Sequence, residues 1–234
     1  GDGGEWTFQD AFSAQTISFE QGTIHTNDQT VNASTFFSTS ALTRRLNMGA
    51  SVFNLTGTNA MLLQNSTNLT INSGTSVLNC TADGAILTSN SSGNYTFNDV
   101  NFTSTVKGTI AGSAHFHDVH FHGDGEISSS NSFHDLNFTA GHNYTLAPLS
   151  EITILGSLNA TGTCIAMINI RPSLTGFLVG IKSAVPINVS YVRMRSVVAS
   201  GGGTFTATHS MDLCCNTGWT FVPPPVKNLY WVGN

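Results

Sequence analysis

A hexad of the pattern Phe-X-Asp-(Val/Leu)-X-Phe occurs three times in the sequence, and its spacing restricts the chain to few architectures. It occupies residues 97–102, 116–121 and 133–138, so successive copies begin 19 and 17 residues apart. A short unit that recurs at about 20 residues is typical of a solenoid, in which each copy buries its apolar face against the neighbouring copies. The hexad therefore predicts short strands that stack coil upon coil.

Low charge combined with high apolar content supports a folded, strand-rich chain. Charged residues make up only 9% of the sequence, against about 25% in an average globular protein. Hydrophobic residues still make up 40%, with 15 phenylalanines, a content that disordered chains lack. Apolar and polar residues alternate, as in residues 16–19 and 69–71, and this is the pattern of half-buried strands.

Helix-forming residues rarely meet at helical spacing, because Gly, Asn or Thr interrupts almost every window of ten residues. Residues 40–48 have the most helical character, but they are short and flanked by Ser, Thr and Gly49, which favours a loop leading into a strand. We predict an all-β parallel β-helix of about ten coils. A single module is expected over 1–221, followed by a Pro-rich linker and the start of another module over 222–234.

Aligning the three hexads predicts several rows of equivalent side chains along the rod. The second apolar residue and the last Phe face the same side of a strand, and a bend at the X-Asp pair brings the first Phe inside as well. The predicted inward rows are Phe97/Phe116/Phe133, Val100/Val119/Leu136 and Phe102/Phe121/Phe138. Outside, Asn101/His120/Asn137 form a polar row and Asp99/Asp118/Asp135 line up at the bend, where their carboxylates accept hydrogen bonds from backbone amides or are spread by solvent.

The second hexad lies in a histidine-rich segment, which contains His115, His117, His120 and His122, with Asp124 and His134 nearby. Alternate histidines on one strand could share a metal ion. The first copy carries Asn98 and Asn101 in place of His117 and His120, so replacement of one outward polar residue by another is the favoured interpretation. We accordingly predict no metal ligand and no cofactor site.

The four cysteines are Cys80, Cys164, Cys214 and Cys215. They form no Cys-X-X-Cys pair, so neither a zinc ribbon nor a thioredoxin-like site is supported. Strand parity makes a Cys164–Cys215 bridge conceivable if the C-terminal segment folds back as a cap. Buried free thiols are the equally weighted alternative, and the sequence does not choose among the three full pairings.

Twelve Asn-X-Ser/Thr triplets occur, from Asn32-Ala33-Ser34 to Asn188-Val189-Ser190. In a secreted eukaryotic protein they would predict heavy glycosylation. Several lie inside predicted strands, where a glycan on each coil would crowd the next. We therefore attribute the triplets to chance in a chain rich in Asn, Ser and Thr.

Charge and hydropathy argue against several kinds of partner. The net charge is −5, and the eight Lys and Arg residues are scattered, so neither nucleic acid nor insertion into a membrane is expected. No run reaches the ~18 apolar residues of a membrane span, and no secretory leader is recognised at the start of the sequence. The opening residues, Gly-Asp-Gly-Gly-Glu-Trp, look like those of an excised piece.

The C-terminal third resembles a known class of surface protein. A strand-like Val189-Ser190-Tyr191-Val192 precedes a Gly-Gly turn, then an Asp-Leu…Asn-Thr-Gly-Trp segment, Pro223-Pro224-Pro225, and Leu-Tyr-Trp-Val-Gly. Residues 150–234 resemble a module of very large repetitive cell-surface proteins of Bacteroidetes, including gliding-motility adhesins exported by the type IX system. Residues 1–149 match more loosely, and Cys214-Cys215 and Arg193/Arg195 depart from the pattern. The resemblance implies a right-handed parallel β-helix located outside the cell, on a bacterial surface.

An enzyme is the less favoured function. Polysaccharide-degrading β-helices need paired carboxylates, or calcium held beside a basic residue. Here Asp124 and Glu126 lie among glycines that predict a turn, and the Asp99/Asp118/Asp135 row has no Lys or Arg at equivalent positions. His209, Ser210 and Asp212 are close in sequence but are not arranged as a triad. We predict no catalytic residue.

Carbohydrate binding remains an alternative, because exposed aromatic rings beside polar groups are typical of sugar sites. Trp6, Tyr95, Tyr144 and Trp219 are the candidates, although capping of the solenoid ends is preferred for Trp6 and Trp219. The expected function is a non-catalytic structural and adhesive module. Its expected partners are surface glycans or other extracellular targets and the neighbouring modules of its own chain.

Overall fold

The protein folds as a parallel β-helix of about nine turns, in a computed structural model that describes residues 3–90 and 95–223. Every strand pairing among these residues is parallel, and no helix occurs among them. The all-β parallel β-helix predicted from the hexads is confirmed. In the described part of the chain no helix is long and apolar enough to cross a membrane.

The strands are short and follow one another around the rod. In chain order they are β1 (Glu5–Thr7), β2 (Phe12–Ser18), β3 (Gly22–His25), β4 (Thr30–Ser38), β5 (Arg44–Asn47), β6 (Val52–Leu55), β7 (Asn59–Leu63), β8 (Leu69–Asn72), β9 (Val77–Cys80), β10 (Ala85–Ser89), β11 (Thr96–Phe102), β12 (Lys107–Ala111), β13 (His115–Phe121), β14 (Asp124–Ile127), β15 (Ser132–Phe138), β16 (Asn143–Leu146), β17 (Glu151–Ala160), β18 (Ile168–Pro172), β19 (Val179–Ser183), β20 (Ile187–Ser190), β21 (Val192–Arg195), β22 (Val197–Ser200), β23 (Phe205–Thr208), β24 (Met211–Cys214) and β25 (Thr220–Val222).

Three stacks of strands form the faces of the rod. One face runs through β4, β7, β10, β12, β14, β16, β18, β21 and β24. The strands β11, β13, β15 and β17 each contain a bend, and each pairs with a neighbouring coil both before and after this bend. These four strands therefore connect the two other faces of the rod. Paired residues lie between 14 and 29 positions apart in sequence, so the coils differ widely in length.

The three hexads lie on successive coils, in the register expected from their alignment. Phe97 stacks on Phe116 with ring centroids 5.5 Å apart, and Phe116 stacks on Phe133 at 5.3 Å. Phe102 and Phe121 stack at 4.7 Å. These rings are buried, and so is the row of Val100, Val119 and Leu136. All three predicted inward rows are therefore confirmed, and they belong to one core that runs along the rod.

Residues 40–48 form no helix, as predicted. A loop leads into β5. The first residue of this strand is Arg44, whose side chain is fully buried. The guanidinium donates hydrogen bonds to the Ser38 hydroxyl at 2.6 Å and to the Thr67 carbonyl at 2.7 Å, with further bonds to other carbonyl oxygens. Burial lowers the pKa of Arg44, and these bonds compensate the buried charge.

The cysteines differ from the pairing considered above. Cys214 is bonded to its neighbour Cys215, whereas Cys164 is an exposed free thiol in a bend. The conceivable Cys164–Cys215 bridge is therefore wrong, because Cys164 does not continue the strand whose parity was used to place it. Cys80 is a buried free thiol, and burial raises its pKa to about 12, so the alternative of a buried thiol holds for this residue.

Both terminal tryptophans lie on end coils. Trp6 belongs to the first strand and is 51% exposed, with its ring over Gly4 and Gly22. Trp219 packs edge-on against Phe205 with centroids 5.1 Å apart, immediately before the last described strand. Residues 224–234, which hold most of the predicted linker and the start of the following module, lie outside the described residues.

The stacked phenylalanines should dominate the stability of the rod. We expect Phe116→Ala and Phe121→Ala each to lower the free energy of unfolding by ~3–5 kcal/mol, because each leaves a cavity inside a continuous row. The control is His120→Asn in the same strand, which introduces the outward residue of the other two hexads and should change stability by less than ~0.5 kcal/mol. Denaturant unfolding followed by circular dichroism measures both, and equal losses in all three variants would contradict the stacking.

Candidate functional site

The outward side of the three hexads forms an open groove of about 340 Å³ across successive coils. Its lining comprises Asp99, Asn101, Asp118, His120, Asp135, Asn137 and Asn159. Asp99 pairs in register with Asp118, and Asp118 with Asp135. The predicted alignment of the three carboxylates at the bend is therefore confirmed, and none of the groove-lining residues is a lysine or arginine.

The first two carboxylates of this row oppose each other. Partial desolvation, followed by the charge of Asp118, raises the pKa of Asp99, although His117 works in the opposite direction. Oδ1 of Asp118 is buried and receives no hydrogen bond from any residue that the structure describes. Parallel pairing keeps these carboxyl groups on adjacent coils, and therefore like charges face each other here.

Two histidines lie beside the carboxylates. Nδ1 of His117 is 3.3 Å from Oδ2 of Asp118 and 3.9 Å from Oδ1 of Asp99. Nδ1 of His134 is 3.0 Å from Oδ2 of Asp135. The two imidazole rings stack with centroids 4.8 Å apart and planes 4° apart. The sequence signal for this arrangement is the His-Asp pair that occurs in two consecutive hexads. We missed it because we considered the histidines along one strand and did not compare equivalent positions of successive coils.

A bulge in β17 lies next to the last aspartate of the carboxylate row. Phe133 pairs with Ile154 and Asp135 with Ser157, so His134 alone faces two residues of β17. One of them is Gly156, where a Cβ atom would lie 2.8 Å from Nδ1 of His134. Ser157 donates two hydrogen bonds to Oδ1 of Asp135, from its amide at 2.7 Å and its hydroxyl at 2.5 Å. Desolvation raises the pKa of Asp135. The two hydrogen bonds from Ser157 and the neighbouring His134 outweigh it and hold this pKa below its usual range.

The remaining histidines of the second hexad point to other partners. His115 contacts the Ser132 hydroxyl of the next coil. His120 and His122 stack on each other with centroids 4.1 Å apart. Desolvation, and secondarily the charge of His122, lowers the pKa of His120. The four histidines of this segment therefore do not converge on one point, and only His117 lies within the carboxylate row.

A ladder of asparagines continues from the groove along the rod. The residues in register are Asn32, Asn54, Asn79, Asn101, His120, Asn137 and Asn159. Amide groups donate to the preceding coil's side-chain oxygen, at 2.9 Å from Asn54, 3.0 Å from Asn79 and 3.2 Å from Asn101. Each asparagine of this ladder begins an Asn-X-Ser/Thr triplet, so half of the triplets arise from the solenoid repeat and not from chance.

A second cleft, of about 240 Å³, lies on the face formed by β16, β18 and β21. Arg171, Arg193 and Arg195 line it together with Asn143 and Asn169. All three arginines are exposed, and none of them forms an ion pair within residues 3–90 and 95–223. In the sequence, Arg193 and Arg195 stood out only as departures from the resemblance. Their link to Arg171 was missed, because Arg171 is distant in sequence and becomes their neighbour only when the coils stack.

Two of the four proposed sugar-stacking rings are not surface groups. Tyr95 and Tyr144 are buried. The Tyr144 ring stacks on Phe138 at 3.7 Å, and its hydroxyl donates to the Thr139 carbonyl at 3.1 Å. The prediction that these two rings could stack on sugars is therefore wrong. The tyrosine rings fill the core, and the sequence does not show where their hydroxyl groups lie.

The other acidic residues considered above have separate partners. Asp124 and Glu126 lie in the strand β14, which corrects the predicted turn. Glu126 pairs with Lys107 at 2.5 Å. Near the C-terminal end, Ser210 donates to the Thr208 carbonyl at 2.7 Å, while Asp212 accepts from Asn216 at 2.6 Å.

His209, the third residue considered for a triad, instead stacks on Tyr191 with ring centroids 5.0 Å apart. These separate partners leave the three side chains without a shared hydrogen-bond chain.

Comparison of the chain with protein-family models, with curated proteins and with solved structures finds no match. The fold and the two clefts are therefore the basis for any functional assignment.

The carboxylate of Asp124 should give an acid-sensitive contribution to stability. Desolvation opposes ionisation, but hydrogen bonds from the Asn143 amide and side chain and from His142 lower the pKa of Asp124. Because the folded state favours the charged form, this stabilisation is present above the ordinary pKa of 3.8 and is lost as the pH falls through the lower folded value.

We therefore expect Asp124→Asn to destabilise the protein at pH 6, with a difference from the wild type that shrinks below about pH 4. The exposed Asp10→Asn is the control, since it removes the same charge from a surface loop. Denaturant unfolding between pH 3 and pH 7 measures both variants, and a difference independent of pH would show that the charge of Asp124 is not the cause.

Proposed function

We propose that this chain is a non-catalytic structural and adhesive module of a large bacterial cell-surface protein. The solenoid supports this role, because each coil satisfies the backbone groups of its neighbours and the rod needs no partner for stability. The resemblance of residues 150–234 to modules of gliding-motility adhesins favours an extracellular location and neighbouring modules in the same chain.

The cleft over Arg171, Arg193 and Arg195 is the observation on which the adhesive role depends. The chain has only eight Lys and Arg residues, and three of them line one cleft without an internal counter-charge. A guanidinium presents a planar fork of donors that matches a carboxylate or sulfate. The side-chain oxygen of the neighbouring Asn169 can accept a hydrogen bond from a hydroxyl group, and Phe177, in the adjacent loop, is 41% exposed.

These features favour a glycan that carries acidic groups. Sugar hydroxyls suit the amides, acidic substituents suit the arginines, and exposed aromatic rings stack on the apolar faces of sugars. A single small cleft binds weakly, but repetition of the module along a surface protein multiplies the attachment. Weak contacts at each module and strong adhesion of the whole protein are therefore compatible.

Direct binding to acidic polysaccharides tests this function. We expect the protein to bind polygalacturonate or a sulfated glycan more tightly than a neutral glucan, with an affinity that falls as salt increases. The variant Arg171→Gln/Arg193→Gln/Arg195→Gln should weaken binding by at least about tenfold, because it removes charge-assisted hydrogen bonds.

The matched control is Arg45→Gln/Lys107→Gln/Lys182→Gln, which removes the same net charge elsewhere on the surface. Lys107 and Lys182 form partly exposed ion pairs, and such pairs contribute little to stability. Retained binding in the control supports the cleft. Equal loss in both variants would mean that net charge alone attracts the glycan, and unchanged binding in the cleft variant would reject the site.

A polysaccharide-degrading enzyme is the second candidate, and the opposed carboxyl groups of Asp99 and Asp118 favour it. Desolvation and the neighbouring Asp118 raise the pKa of Asp99, and a carboxyl group with a raised pKa beside a second carboxyl group is the arrangement of a general acid and its partner. Release of reducing ends from pectic or alginate polymers, with or without calcium, would establish this activity if Asp118→Asn abolished it. Absence of release across such a panel supports the non-catalytic proposal.

A further inference from the structure

We propose that the row of aspartates and histidines beside this groove is a binding site for a divalent transition metal, with Asp118 as the shared ligand, Asp99 and His117 on one side of it and His134 and Asp135 on the other. This site is independent of the arginine cleft and of the adhesive role. It lies on β11, β13 and β15, so the metal would join three successive coils.

The donor atoms already converge. Asp99, His117 and Asp118 offer three ligand atoms within 4.8 Å of one another, and Asp118, His134 and Asp135 offer a second such set. Donors bound to zinc at 2.0–2.2 Å in a tetrahedron are about 3.4 Å apart. Nδ1 of His117 and Oδ2 of Asp118 are 3.3 Å apart, which matches this spacing.

Electrostatics at Asp118 gives an independent reason for a cation. Its Oδ1 atom is buried, without a hydrogen-bond donor among the described residues, and Asp99 faces it from the adjacent coil. A buried acceptor of this kind calls for an ion or a water molecule. None of the residues that line the groove is a lysine or arginine, so the protein itself supplies no permanent cation there.

The histidines determine which metal fits. Imidazole and carboxylate together suit zinc and neighbouring transition metals, whereas calcium and magnesium prefer sites made entirely of oxygen. Each Nδ1 faces an aspartate oxygen, at 3.3 Å for His117 and 3.0 Å for His134. A metal ion between these atoms would bind the nitrogen and the oxygen together.

The backbone of the next coil leaves the room that His134 needs. A Cβ atom on Gly156 would lie 2.7 Å from Cε1 of His134 and 2.9 Å from Oδ1 of Asp135. Gly156→Ala should therefore displace the imidazole without removing any ligand. Changes in the outer support of metal ligands typically cost 10–100-fold in affinity.

Zinc titration of the untagged, chelator-treated protein tests the site. We expect about one equivalent of Zn²⁺ to bind by calorimetry and to raise the melting temperature, because a ligand that binds only the folded state stabilises it. His117→Asn/His134→Asn should abolish both effects, and Gly156→Ala should weaken binding at least about tenfold. Substitution with Co²⁺ adds a visible absorption band that reports nitrogen and oxygen coordination.

The matched control is His115→Asn/His122→Asn, which removes two histidines from the same segment but none from the proposed ligands. Retained zinc binding in the control and its loss in the site variant, with unchanged far-UV circular dichroism in both, supports the proposal. Equal loss in both variants would indicate weak attachment to scattered surface histidines. Absence of zinc binding by the wild type, or binding of Ca²⁺ in preference to Zn²⁺, would overturn it.

Discussion

Parallel pairing of each coil with the next is the constraint on which this structure depends. A parallel ladder places equivalent residues of adjacent coils about 4.8 Å apart, so each side chain meets a copy of its own position. Phenylalanine and asparagine are well suited to this arrangement. Stacked rings bury area and attract one another, as in Phe97, Phe116 and Phe133, while an amide both donates and accepts and so bonds to an identical amide, as Asn79 does to Asn54.

The fold could be predicted where the repeat is explicit and not where coil length varies. The hexads fix the register of β11, β13 and β15, because one spacing and one burial pattern recur. The bulge at Gly156 and the 29-residue offset between Glu151 and Gly180 leave no such signal. Arg44 is also unpredictable, since an arginine is buried only when surrounding carbonyl oxygens satisfy it, and two of these oxygens come from residues in a different coil.

The asparagine ladder also changes how the Asn-X-Ser/Thr triplets are interpreted. In a typical coil the asparagine bonds to its neighbour, the middle residue is buried and the Thr or Ser follows as the strand ends. Thr139, for instance, donates to the Phe121 carbonyl of the preceding coil at 2.8 Å. An amide already engaged within the ladder is a poor glycan acceptor, because attachment would break the bond that holds its position. From composition alone we attributed the triplets to chance. In the ladder, however, the triplet pattern follows from the geometry of the strand.

The rule that stabilises the ladders also creates the two clefts. A charged residue repeated on adjacent coils meets its own charge, and unlike an amide it cannot satisfy an identical neighbour. Aspartates accumulate in this way beside β13, and arginines beside β21, on different faces of the rod. Where such a row lacks internal counter-charges, the missing charge must come from a ligand or from solvent. In a solenoid with so few charged residues, repeated like charges are therefore the positions at which to look for binding.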